Sequence, residues 1–221
     1  GCLIALTVLS WLILEVGPKA IYADERSWSK RFLSLLPPVF LFFYMFFIHG
    51  PIEFFLINNA EFGFVLGDFA WKYIVVSVGA VLGISALLAF CKGKVCDCLA
   101  CAVFGIDLCM YIQLNFMNGS LGLLDGTEKT VDMKRNWINL IIWIVLFILP
   151  FVAFRFFKKY RDRIVVFICS ALTVMQITSL VWLIVVSPED AFVSSLSQYL
   201  LLGDNQFTVS ADKNIIILVI D

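Results

Sequence analysis

The sequence predicts an all-α polytopic membrane protein whose end is the first β-strand of an extracytoplasmic α/β domain. Three observations carry this. Of the 221 residues, 62% are hydrophobic and 15% charged, whereas soluble domains are about half apolar and about a quarter charged. Six apolar runs approach the ~20 residues a helix needs to cross a bilayer. The last residues, "NIIILVI", form an unbroken apolar run. A half-buried strand would alternate, so this one reads as buried on both faces.

The elements follow in order. About six transmembrane helices are expected within 1–186, near residues 2–14, 32–48, 69–91, 95–116, 137–157 and 164–186. Helices are required because lipid satisfies no backbone polar group. The run 2–14 is short. Residue 1 is Gly, and no basic segment or small-residue cleavage site marks a signal peptide, so the chain is expected to lack its natural start. Pro37 and Pro38 are placed in the first turns of the 32–48 helix, where a missing N–H costs little. Pro150 is expected to kink the 137–157 helix or end its regular part. Residues 187–212 read as a linker, and 213–221 as the strand.

Lysine and arginine set the expected orientation. Loops 17–31, 92–94 and 155–163 carry Lys19, Arg26, Lys30, Arg31, Lys92, Lys94, Arg155, Lys158, Lys159, Arg161 and Arg163. The opposite side holds only Lys72, Lys129, Lys134, Arg135 and Lys213. The first set is therefore expected in the cytoplasm, and everything after residue 186 outside. The net charge of −1 and the lack of a basic run resembling a nucleic-acid patch point away from nucleic acid as a partner. The expected partners are the bilayer and, as one option, a lipid substrate.

Two outer segments carry candidate polar contacts. "HGPIEFFLINNAEFGFVLGDF" (49–69) lacks basic residues and reads as an interfacial or re-entrant segment. Its Glu53, Asn58, Asn59 and Glu61 could meet headgroups or a further domain, or could simply form the wet face of an interfacial helix. The loop 118–136 is punctuated by glycine and holds Asp125. Inside the 95–116 helix, Asp107, Tyr111 and Asn115 recur at i, i+4 and i+8 on one face, with Gln113 off that face. Intramembrane carboxylates are costly. Three readings stand: a polar path for a lipid headgroup, interhelical hydrogen bonds to Thr173, Gln176 or Ser179, and a proton or ion relay. "CKGKVCDCLAC" brings Cys91, Cys96, Cys98 and Cys101 together. Only the last two have CxxC spacing, and on a membrane helix they read as small packing residues. Trp71 and Trp137 fall where an aromatic belt would.

The ending then raises a question of partners. A parallel strand is not stable alone, and the rest of the chain offers it no sheet. The chain is therefore expected to be the front of a longer protein. Sites in α/β sheets form at strand C-termini, where Asp221 stands. "KNIIILVID" resembles the opening strand of the sulfatase and alkaline-phosphatase superfamily. "GPIEFFLINNAEFGF", "YIQLNFMNGSLGLLDG" and "NQFTVSADKNIIILVID" are similar to membrane-anchored, sulfatase-like bacterial proteins related to lipoteichoic acid synthase. The resemblance covers roughly residues 33–221. It implies a multi-pass cell-membrane anchor for an extracytoplasmic metal-dependent hydrolase or phosphotransferase. Sulfate or phosphate esters would be its substrates, with phosphoglycerol-bearing lipids one candidate class. It implies Asp221 as a ligand of a divalent metal, and places the nucleophile and remaining ligands downstream. No catalytic residue and no cofactor is expected within these 221 residues. The rival from another class is a small transporter or channel working through the Asp107 stripe, although neither an inverted repeat nor paired broken helices are visible.

Overall fold

The structure is a computed structural model and describes residues 26–118 and 133–192. Helix α1, Trp28–Phe43, runs through a π-helical turn, Tyr44–His49, into α2, Gly50–Ile57. Helix α3 is Leu66–Phe90, and α4 is Gly93–Ile112 with a second π turn at Gln113–Met117. Helices α5, Met133–Phe156, and α6, Arg161–Val186, follow. Among the described residues, five helices are long and apolar enough to cross a membrane. The expected helix at 2–14, most of the linker and the strand at 213–221 lie outside the described residues.

Local chemistry sets the helix starts. The Ser27 side chain accepts from the Lys30 amide at 3.4 Å, and Trp28 stacks on Phe32 with ring centroids 5.3 Å apart. The first helix therefore begins before residue 32. Pro37 and Pro38 consequently lie in the second half of α1, not in its first turns as expected. Asp68 accepts the Val65 amide at 3.0 Å and caps α3. The tight connection into α4 needs Gly93, whose φ of 56° strains any side chain with a Cβ. Pro150 does not end α5, which continues to Phe156.

The segment 49–69 is helical at both ends. Residues 50–57 prolong the first span, and α3 has begun by Leu66. The span Trp28–Ile57 has 30 residues, which at 1.5 Å each makes about 45 Å against a hydrocarbon core of about 30 Å. The segment is thus built from the end of the first long helix, a 3-10 turn at Asn59–Glu61 and the start of α3. Its apolar, aromatic character comes from Phe55 packing on Phe62, Phe64 and Phe69, with centroids 5.1–5.6 Å apart.

Contacts fix the topology. Arg31 at the start of α1 bonds the Ala89 carbonyl at the end of α3, so these two are antiparallel. Asp97 near the start of α4 pairs with Arg161 at the start of α6, so α4 and α6 are parallel. The α4 glycine Gly105 lies against Phe147, and Cys109 against Trp143, so α5 is antiparallel to α4. Leu41, Met45, Cys101, Phe104, Phe154, Val165 and Cys169 form the central core. Tyr44, Ile52, Phe55, Leu56, Leu180 and Ala191 form a second cluster at the far end. Much of α5, including Trp137, Ile141 and Val145, stays exposed, as a lipid-facing helix would.

Candidate functional site

At the end where α1, α4 and α6 begin, four charges interlock. Asp97 takes Arg26 and Arg161, both at 2.6 Å. Asp162 takes Arg161 at 2.7 Å and Arg26 at 3.2 Å. Arg31, buried beside them, donates from Nε to the Ala89 carbonyl at 2.8 Å and from Nη1 to the Arg26 carbonyl. Two carboxylates thus hold two guanidiniums between three parallel helices. Asp97 and Asp162 were not singled out in the sequence. The usable signal was an acid just inside an apolar run, and an acid between Arg161 and Arg163.

Helix α4 presents two faces. Gly105, Cys109 and Gln113, four residues apart, face α5. The Cys109 thiol donates to the Trp143 carbonyl at 3.3 Å, and the Trp143 indole donates to Gln113 Oε1 at 2.9 Å. Gln113 Nε2 donates to Asn118 Oδ1 at 2.8 Å. Gln113 is therefore a tie between helices, away from the Asp107 face as the spacing implied. Asp107 and Tyr111 face α6. Cys169 Sγ lies 3.9 Å from Asp107 Oδ2, and the Tyr111 hydroxyl 3.8 Å from Met175 Sδ. The expected partners Thr173, Gln176 and Ser179 do not bond Asp107. The stripe also stops short of Asn115, because the π turn carries Asn115 to the surface, where it donates to the Tyr111 carbonyl at 2.8 Å.

Asp107 is 0% exposed, Gln176 1% and His49 3%. Among the described residues, Asp107 Oδ1, Gln176 Nε2 and both ring nitrogens of His49 have no hydrogen-bond partner. Each such group costs about 1–3 kcal/mol. His49 Nδ1 lies 3.3 Å from Glu53 Oε2, close enough for a charge contact but not aligned as a hydrogen bond.

The remaining outer candidates do not converge. Asn58 is buried and donates from Nδ2 to the Phe54 carbonyl at 2.9 Å, closing α2. Asn59 is half-buried and Glu61 exposed. Asp125 and Asp221 lie outside the described residues. Cys96 and Cys101 are buried and Cys91 and Cys98 half-buried, all without disulfides. No group of three or more His, Cys, Asp or Glu side chains able to hold a metal occurs among the described residues. Comparison with family models, curated proteins and solved structures found no match.

Proposed function

We propose that this helical region anchors an extracytoplasmic sulfatase-like hydrolase or phosphotransferase that begins at the 213–221 strand. The basic end of the bundle lies in the cytoplasm, and the Val186 end outside. The observation that carries the reading is how the chain leaves α6. The turn Glu189–Ala191 is seated on the far-end cap, with Ala191 buried among Ile52, Phe55 and Leu56. An anchor needs such a fixed exit, because a following domain is then held at a set place above the helices. The lipoteichoic acid synthase-like motifs supply the rest of the support. Asp221 would contribute one ligand to a divalent metal; a metal site needs three or more, so no chemical step is assigned to this chain.

The experiment is to read the coding DNA beyond Asp221. Several hundred further codons with a Ser or Thr nucleophile and a later Asp/His cluster support the anchor. A stop codon directly after Asp221 overturns it. The buried carboxylate of Asp107, whose Oδ1 has no partner among the described residues, favours a second reading, a transporter or channel. Loss of solute flux in vesicles on Asp107→Asn would decide for that reading, and unchanged flux against it.

A further inference from the structure

The basic end of the bundle holds more positive charge than its own acids neutralise. Among the described residues, the acids at that end are Asp97 and Asp162, and both are taken by Arg26 and Arg161. Around the turn between α5 and α6, Arg155, Lys158, Lys159 and Arg163 are exposed. None of the four makes an ion pair among the described residues. Like charges this close repel one another, so an anion placed among them is favoured several times over.

The same turn bares three aromatic rings. Phe156 is 77% exposed, and Phe157 and Tyr160 are exposed beside it. The Lys159 ammonium lies 5.8 Å from the centroid of the Tyr160 ring, so cation and ring share one surface. Helix α5 has 24 residues, about 36 Å at 1.5 Å each, against a hydrocarbon core of about 30 Å. Its last turn therefore leaves the hydrocarbon at the level of the headgroups. It is also the least buried of the five spans, so its end opens on the surrounding lipid.

Rings at headgroup level with cations around them match one kind of molecule. The rings suit the glycerol and the first acyl carbons, as interfacial aromatics do, and the cations suit a negative headgroup. Arginine offers a phosphate two parallel donors, and lysine a mobile point charge. The other ends of the bundle lack this pairing. The α3–α4 turn has exposed Lys92 and Lys94, but its Phe90 ring packs on Trp28 at 6.1 Å. The far end shows exposed acids instead, at Glu61, Asp68 and Glu189.

We propose that the α5–α6 turn is a binding site for an anionic phospholipid, with Phe156, Phe157 and Tyr160 in the bilayer interface and Arg155, Lys158, Lys159 and Arg163 on the headgroup. The proposal holds for either orientation of the bundle, and whether the helices anchor a domain or carry a solute.

The test uses the full chain in a mild detergent with an equimolar mixture of phosphatidylglycerol and phosphatidylcholine. Native mass spectrometry reads which lipid stays bound. The unaltered chain should retain phosphatidylglycerol several-fold over phosphatidylcholine. Arg155→Gln, Lys158→Gln, Lys159→Gln and Arg163→Gln together should abolish the preference. Lys30→Gln, Lys92→Gln and Lys94→Gln together should keep most of it, although they remove charge from the same end. Phe156→Ser with Phe157→Ser leaves every charge in place and should lower phosphatidylglycerol retention several-fold, which keeps the test open if the four-glutamine variant does not fold. Excess inorganic phosphate should not displace the lipid. No preference in the unaltered chain overturns the proposal. Equal losses in the two glutamine variants also overturn it, since diffuse charge and not a site would then attract the lipid. Unchanged retention in the serine variant, or displacement by phosphate alone, overturns it as well.

Discussion

Asp97 and Arg161 meet at 2.6 Å where α4 and α6 begin side by side. The pair does not stand alone, since Asp97 also holds Arg26 at 2.6 Å and Arg161 also holds Asp162 at 2.7 Å. Arg161 is nearly buried, with 9% of its side chain exposed against 22% for Asp97. Removing one partner therefore strands a charge that has little water to turn to. Asp97→Asn should cost about 2 kcal/mol, the scale of a hydrogen bond to a charged group. In a double-mutant cycle with Arg161→Gln, the two losses should fall short of additive by about 1 kcal/mol. Unfolding in detergent micelles measures both, and strict additivity would show that the contact contributes no coupling.

Gly105 permits the close approach of α4 and α5. A Cβ there would stand 2.9 Å from the Phe147 carbonyl oxygen and 3.3 Å from its Cα. Neither atom can swing away, so the helices must separate. Gly105→Ala should destabilise by about 1–3 kcal/mol, the usual cost of overpacking. Gly79→Ala and Gly83→Ala on α3 are the controls, since nothing lies within 4 Å of a Cβ at either. Those two should be neutral or gain up to about 1 kcal/mol from reduced chain freedom. Equal effects at all three positions would contradict the packing at Phe147.

The helices were legible because lipid demands long apolar runs, and each described span overlaps a run visible in the sequence. Their ends were harder to read. Ser27 starts α1 earlier than composition suggests, and Met133 starts α5 ahead of Trp137, because capping and amphipathic first turns extend a helix past its apolar stretch. The face of Asp107 followed from its spacing, but its neighbour Cys169 did not, because a thiol gives no polar signal in an apolar run. Asn115 left the stripe because spacing arguments assume 3.6 residues per turn and a π turn breaks that period. Asp97 was hidden by the cysteines around it, although an acid one turn into an apolar helix asks for a cation on a neighbour.

The basic end of the bundle should face the cytoplasm, since the Lys and Arg excess sets orientation. Lys159 and Gly63 lie on opposite ends and both are exposed. In a chain whose native cysteines are replaced by Ser, Lys159→Cys should react with a membrane-impermeant maleimide only after the cells are opened. Gly63→Cys should react in intact cells. The reverse pattern would invert the proposed topology, and labelling of both in intact cells would break the alternation of the helices.

Phe55 holds the far-end cap together. It is buried and packs on Phe62, Phe64 and Phe69, and it shares a cluster with Ala191 of the exit turn. Phe→Ala in a core costs about 3–5 kcal/mol, and Phe55 is 3% exposed. The Ala191 carbonyl side of the turn is followed by Phe192, which is exposed, so chymotrypsin reports whether the turn stays seated. Phe55→Ala should raise the rate of cleavage after Phe192 several-fold while the bundle remains folded. Ala191→Asp should do the same without touching the aromatic cluster, because a carboxylate will not enter an apolar seat. Cleavage unchanged in both variants would mean that the exit turn is not fixed by the cap, and the anchor reading would lose its structural support.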